Sequence, residues 1–327
     1  MTLTPTTESD RIVHRVLVTG GAGFIGSHIA ELYVASGYAV TVLDNLSSGR
    51  RENVPAGARF IKEDVRAPAA RKLLAEGGFH VLNHQAAQMD VRVSVRDPGF
   101  DADVNLLGLL NLLEGAREGG VRRVVFASSG GVVYGESDAL PHPEGAPKLP
   151  VSPYGVSKLG SEYYLAQYAI LHGLEVCALR YANVYGPRQN PHGEAGVVAI
   201  FGSRLRNQQP IMVYGDGEQT RDYVFVGDVA RANLMASEAP AAAPISIDAL
   251  AVNVGTARET SVNRLAETMM EATGITVNVE HAPARAGELQ RSAVAIEKAA
   301  EVLNWRPQVP LAEGLQRTYL WLAKEVA

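Results

Sequence analysis

An α/β fold built on a doubly wound parallel sheet is predicted by three features of this chain. From Arg15 onward, short apolar runs alternate with longer stretches whose apolar residues recur three and four apart. A glycine-rich turn closes the first of those runs. No internal repeat or low-complexity tract interrupts the alternation. Strands separated by helices of such length pair in parallel through right-handed crossovers, which puts helices on both faces of the sheet.

The strands are predicted at 16–19, 39–43, 58–61, 81–84, 123–127 and 175–179, and the helices at 24–35, 104–118 and 154–171. Residues 1–14 read as a flexible polar arm, and 15–185 as the nucleotide-binding unit. After Tyr181 the punctuation changes, with loop signals at Gly186-Pro187, Asn190-Pro191 and Gly215-Asp216-Gly217. Residues 186–327 are therefore expected to form a smaller C-terminal lobe. Segments 224–226 and 252–255 are expected to return to the sheet and complete it.

Composition excludes several function classes. The 327 residues are 46% hydrophobic and 20% charged, ordinary for a globular protein. Thirty basic against 35 acidic residues leave a net charge of −5, which offers no electrostatic footprint for nucleic acid. Cys177 is the single cysteine, so neither an internal disulfide nor a multi-cysteine zinc site can form. Cys177 lies in an apolar strand and reads as a small buried hydrophobe. The histidines form no His-Glu-x-x-His motif, and no metal is expected. No apolar run approaches the roughly 18 residues of a membrane span, and no signal-peptide pattern opens the chain. A cytoplasmic protein is expected.

The first motif is Val16-Leu-Val-Thr-Gly-Gly-Ala-Gly-Phe-Ile-Gly26. Gly20 suits the tight turn, Gly23 admits a pyrophosphate against the backbone, and Gly26 allows close helix–strand packing. The helix that follows presents unpaired N–H groups to phosphate. This is the fingerprint of a Rossmann-type fold. Asp44 closes the second strand, where a carboxylate bonds a ribose diol and repels a 2′-phosphate, favouring NAD over NADP. Asp64-Val65 ends the third strand, where a side chain can meet an adenine edge. His84-Gln85-Ala86-Ala87-Gln88 ends the fourth with small residues that suit a dinucleotide.

The second motif opens a long helix at Ser152-Pro-Tyr-Gly-Val-Ser-Lys158. Ser152 is a good N-cap and Pro153 suits the first helical position. Tyr154 and Lys158 stand one turn apart on one face. An ammonium beside a phenol is expected to lower its pKa from about 10 and make phenolate available as a base. The fifth strand ends in Phe126-Ala-Ser-Ser-Gly-Gly131, which puts hydroxyls at the carboxyl edge of the sheet.

In this order the motifs resemble the extended short-chain dehydrogenase/reductase family. Within it they are most similar to the NAD-dependent epimerase/dehydratase group and its nucleotide-sugar 4-epimerases of the UDP-glucose 4-epimerase type. Later markers are Leu179-Arg-Tyr-Ala-Asn-Val-Tyr-Gly-Pro-Arg188, Tyr214-Gly-Asp-Gly-Glu-Gln-Thr-Arg-Asp222 and Leu303-Asn-Trp-Arg-Pro307. The resemblance covers roughly Arg15 to Arg317. It implies tightly held NAD and a UDP-sugar substrate. Tyr154 would take the proton of the sugar C4 hydroxyl, Lys158 would bind the nicotinamide ribose, and Ser129 would bond the C4 oxygen. A hydride would leave C4 and return to its other face after the 4-keto sugar turns over.

Carried over by position, the resemblance assigns Gly20, Gly23, Phe24, Ile25, Gly26, Asp44, Asn45, Ser48, Gly49, Asp64 and Val65 to NAD. It assigns Gln85, Ala86, Ala87, Gln88, Asn105, Ser128, Tyr154, Lys158 and Tyr181 to the same cofactor. For the substrate it implies Ser129, Tyr154, Asn183, Gly196, Val197, Val198, Tyr214, Arg221, Arg285, Glu288 and Ser292. The serine segment is one residue longer than the usual form, which leaves Ser128 as an alternative catalytic hydroxyl. Gln85 replaces the usual apolar residue. Ser292 stands where some relatives carry a bulky tyrosine, so room for an N-acetyl group is expected. Gly130 and Gly131 occupy the segment where dehydratases and decarboxylases place a carboxylate, which favours epimerisation. A UDP-N-acetylglucosamine or UDP-glucuronate 4-epimerase and a catalytically inactive binding protein remain alternatives. A homodimer through the helices at 104–118 and 154–171 is expected from the same resemblance.

Overall fold

Seven parallel strands form the central sheet of the computed structural model, which describes residues 14–137, 139–191, 196–284 and 289–324. The expected arm at 1–14 lies, except for His14, outside the described residues. The first half runs β1 (Arg15–Thr19), α1 (Phe24–Ala35), β2 (Ala39–Asp44), β3 (Arg59–Lys62), α2 (Pro68–Glu76) and β4 (Val81–His84). It continues through α3 (Val91–Arg96), α4 (Pro98–Ala102), α5 (Gly108–Glu118), β5 (Arg123–Ser129), α6 (Pro153–His172) and β6 (Glu175–Tyr181). The spatial order is β3-β2-β1-β4-β5-β6, closed by a strand from the second half, β11 (Ala251–Val254). This is the doubly wound order, and its switch point between β1 and β4 opens a crevice at the carboxyl ends of the strands.

Parallel strands are buried on both faces, so their sequences read as near-continuous apolar runs. Val16, Leu17 and Val18 of β1 are fully buried, their side chains alternating between two clusters. One face packs under α1 and α8 (Val226–Glu238), the other under α2, α5 and α6. The smaller lobe has its own apolar cluster around α7 (Val197–Arg206), α10 (Val262–Thr273) and α12 (Leu311–Lys324).

Two sequence expectations are corrected. Segment 224–226 does not join the central sheet: β10 (Tyr223–Phe225) pairs in parallel with β7 (Asn183–Tyr185) as a separate ribbon. The chain peels away after β6, where Ala182 N bonds Val254 O but Asn183 N already bonds Asp222 O. Only 251–254 returns to the sheet. The helix expected at 104–118 is also interrupted, because Asp103–Leu107 forms a π-helical turn before α5 begins. Such turns displace the side chains they carry, here Asn105.

The sheet also buries charge. Arg180 of β6 is fully buried and donates to Glu162 Oε1 at 2.9 Å and Oε2 at 2.6 Å, to the Tyr134 hydroxyl at 3.0 Å and to Asp248 Oδ1 at 3.0 Å. Glu162 lies on α6 and also accepts from Ser128 Oγ of β5 at 2.5 Å. This ion pair pins the long helix against the sheet edge. Removing one partner leaves the other charged and buried. Arg180→Met is expected to cost about 3–5 kcal/mol of stability, read from the denaturant midpoint. A loss under about 1 kcal/mol, the scale of exposed pairs, would refute that reading.

Candidate active site

The glycine turn after β1 is shaped for close approach. Gly20 has φ +67°, and a Cβ there would lie 2.7 Å from Ala86 N. A Cβ on Gly26 would lie 2.2 Å from the Gly20 carbonyl oxygen. Helix α1 starts immediately after Gly23 with no side chain capping it, so its first N–H groups face the crevice. Asp44 is buried and accepts from Ala22 N at 3.0 Å and Leu46 N at 2.8 Å, which fixes its carboxylate beside the turn. Asn45 Nδ2 donates to Asp64 Oδ2 at 3.0 Å, joining the ends of β2 and β3. Arg66 donates to the same Asp64 carboxylate at 2.9 Å and holds it well below the usual carboxylate range. Arg66 also reaches Asp103 at 2.6 Å.

Beyond β4 the chain is held by side chains. Asn105, in the π-helical turn, accepts from Gln88 N at 2.9 Å and donates to Gln88 O at 2.9 Å. Gln85, the polar departure in this segment, donates to Asn83 Oδ1 at 2.7 Å and Asn233 Oδ1 at 3.1 Å, and accepts from the Tyr181 hydroxyl at 3.3 Å. Its polarity is thus absorbed by a neighbouring amide network that ties β4 and β6 to α8.

Helix α6 delivers the second motif as expected. Ser152 Oγ accepts from Gly155 N at 3.2 Å as its N-cap. Lys158 is buried, and its ammonium donates to Ala127 O of β5 at 2.8 Å while standing 5.8 Å from the Tyr154 ring centroid. Burial lowers Lys158 to about 8, opposed by the Asp101 and Glu162 carboxylates. The expectation that Lys158 lowers the Tyr154 pKa is corrected for the chain alone. Burial, with the Asp101 charge behind it, pushes the phenol above its ordinary value, while the ammonium donates to a backbone carbonyl.

A cavity of about 1080 Å³ runs along the crevice and between the two parts of the molecule. Its lining includes Phe24, Ile25, Asn45, Ser48, Asp64, Ala87 and Gln88, with Ser128, Ser129, Tyr154 and Tyr181, and Asn183, Gly196, Val197, Tyr214 and Arg221. The Tyr154 and Ser129 hydroxyls have no hydrogen-bond partner among the described residues, whereas Ser128 is committed to Glu162. Ser129 Oγ and Asn183 Oδ1 flank Gly131, at 3.8 Å and 3.9 Å from where its Cβ would be.

Gly20, Gly23, Gly26, Asp44, Gly49, Val65, Gln85, Ala86, Asn105 and Lys158 are not on this lining. Val198 packs into the lobe core and Ser292 is buried, neither on the lining. Arg285 and Glu288 lie outside the described residues. The structure adds lining residues that the sequence reading passed over: Arg66, Arg188, Gln189 and Trp321. Arg188 has φ +69° and reaches back to α1 through Ser27 at 3.2 Å and Glu31 at 2.9 Å. It sits in the quoted Gly186-Pro-Arg run, but Trp321 comes from a terminal amphipathic helix with no motif to flag it. Among the described residues no cluster of His, Cys, Asp or Glu could hold a metal ion, and no helix is long and apolar enough to cross a membrane.

The cavity suits a dinucleotide: a helix N-terminus opens onto it, a turn there has no space for a Cβ, and an anchored carboxylate stands at the end of β2. Fold and site together define a Rossmann-type enzyme with a tyrosine–lysine helix. The family model of the NAD dependent epimerase/dehydratase family matches residues 16–255, and the chain belongs to that family. NAD is its cofactor. The chain is 46% identical over 309 residues to a UDP-glucose 4-epimerase of Mycolicibacterium smegmatis, covering 93% of this chain and 97% of that one. It also resembles the crystal structure of a Thermotoga maritima UDP-glucose 4-epimerase with UDP-glucose, with a TM-score of 0.91, 42% identity and coverage of 96% and 100%. A Thermus thermophilus UDP-glucose 4-epimerase in complex with NAD gives 0.88, 45% identity and coverage of 95% and 100%.

Gly26→Val is expected to purify without NAD, assayed by releasing bound nucleotide with acid and measuring it. Stoichiometric NAD in that variant would contradict the assignment of the turn.

Proposed function

We propose that this protein is a nucleotide-sugar C4 epimerase that interconverts UDP-glucose and UDP-galactose. One observation carries the reading: the unpartnered hydroxyls of Tyr154, at the start of α6, and Ser129, at the end of β5, line the same cavity as Arg221. NAD held at the turn would supply the hydride acceptor and donor for C4, and its positive charge would favour the phenolate of Tyr154. As phenolate, Tyr154 would accept the proton of the C4 hydroxyl and return it when the opposite epimer forms. Ser129 bonds the C4 oxygen throughout, and the Lys158 ammonium meets the nicotinamide ribose. Asn183 and Arg221 take the diphosphate, the arginine through its planar fork. Gln88, fixed by Asn105, and Asp44 take the cofactor. Gly131 puts no side chain beside Ser129 Oγ and Asn183 Oδ1, which leaves the sugar room to present either face of C4.

Pairing of two copies is part of the same proposal. On α6, Val156, Tyr163 and Ile170 are 55%, 60% and 63% exposed and fall on one helical stripe, with exposed Leu107 on the neighbouring turn. A second copy packing these helices against its own would cover them. A cytoplasmic setting, where the lone Cys177 stays reduced, completes the reading.

Purified protein is expected to carry NAD and to interconvert the two UDP-hexoses without added reductant. Tyr154→Phe should keep NAD and lose at least about 100-fold in kcat; near-native turnover would refute the assignment. The Lys158 ammonium is the major form below about 8 and is lost above it. The kcat is therefore expected to fall as pH rises through that value, and a flat profile from pH 7 to 10 would argue against the lysine's role. Tyr163→Glu should convert a dimer to monomer in sedimentation velocity; an unchanged species would place the contact elsewhere.

A further inference from the structure

Asp101 is a carboxylate that the proposed chemistry does not use. It lies on the short helix α4, is fully buried, and takes only neutral donors. Gln88 Nε2 donates to Oδ1 at 2.9 Å, Asn105 Nδ2 to the same oxygen at 3.1 Å, and Ser157 Oγ to Oδ2 at 2.6 Å. Among the described residues no cation stands within ion-pair distance of it. A buried carboxylate without an ion partner costs folding free energy and calls for another explanation.

Its three bonds reach three parts of the site. Gln88 lies in the segment after β4, Asn105 is the side chain that clasps that segment, and Ser157 directly precedes Lys158 on α6. We propose that Asp101 is a positioning residue for the Tyr154–Lys158 pair: it ties the cofactor-side loop and the π-helical turn to the catalytic helix, and places an uncompensated negative charge beside the lysine.

Of the other groups around Lys158, Glu162 alone adds to that charge. From β4, His84 is held neutral, pushed down to about 3 by burial. From β5, the lysine meets the Ala127 carbonyl and the Phe126 ring. On its own helix, Tyr154 is a neutral phenol in the chain alone, and Glu162, which also favours the ammonium, shares its carboxylate with Arg180 and Ser128. On the elements beside Asp101, Arg92 pairs with Asp90, Arg96 is exposed, and Asp103 pairs with Arg66. Burial drives the lysine toward its neutral form, and Asp101 opposes that, ahead of Glu162.

The inference deepens the epimerase reading and rests on it, but its first readout needs no substrate. Asp101→Asn keeps the shape: Oδ1 still accepts from Gln88 and Asn105, and the new amide donates to Ser157 Oγ. The Lys158 titration is followed by side-chain NMR of lysine-labelled, NAD-loaded protein, with the signal assigned by its loss in Lys158→Met. In Asp101→Asn the midpoint is expected to fall by about one pH unit, and the basic limb of kcat should shift with it while KM stays within about twofold. An unchanged midpoint overturns the proposal, whatever the activity. Ser157→Ala keeps the charge and cuts the tie to the helix, so kcat should fall about five- to tenfold with the midpoint unmoved. Should Asp101→Asn not fold, an unchanged kcat in Ser157→Ala overturns the proposal alone. Failure of the wild-type protein to epimerise UDP-glucose would reject the substrate reading and leave the midpoint comparison to decide this one.

Discussion

The bond from the Lys158 ammonium to the Ala127 carbonyl holds the whole site in register. It joins the helix that carries Tyr154 to the strand that carries Ser129. A charged side chain buried this far is costly unless its donors are used. The surrounding structure supplies a carbonyl, an aromatic face on Phe126 and two nearby carboxylates. Everything that packs α6 against the sheet, from Arg180–Glu162 to Ser157–Asp101, keeps that one contact in place.

Apolar burial supplies most of the driving force for this fold, but polar bonds decide its details. The two faces of the sheet are filled by Val, Leu, Ile and Ala, which specify helix-on-sheet packing with little directional preference. Direction comes from buried polar groups with fixed partners. Asp222 accepts from Thr256 N, Thr256 Oγ1 and Ala257 N, holding the segment after β11 beside Arg221. Arg188 links the lobe to the helix that begins at the glycine turn. The cavity is therefore bounded by hydrogen-bonded segments on both sides.

Much of the site was legible locally. The turn at Gly20–Gly26, Asp44 at the end of β2, the serines ending β5 and the Tyr154–Lys158 pair each sit where a strand or helix boundary must place them. Helix α1 matches the predicted 24–35 span, since its glycine start and Ser36 stop are local signals. The misreadings arose where partners are distant. Segment 223–225 has strand character, yet nothing local says that it pairs with 183–185 rather than with the sheet. The apolar period over 104–118 is the same whether or not a π-helical turn interrupts it.

By itself the sequence determined the class of fold, the glycine turn and the Tyr154–Lys158 pair, because these rest on short-range geometry: glycine where a Cβ cannot fit, and side chains one helical turn apart. Only the tertiary structure decided which serine hydroxyl is free, since Ser128 is engaged by Glu162 from another element. It alone decided the direction of the Tyr154 shift, because burial and the charge of Asp101 come from chain segments that the motif does not contain. Desolvation and through-space charge belong to the packed molecule, and no local pattern encodes them.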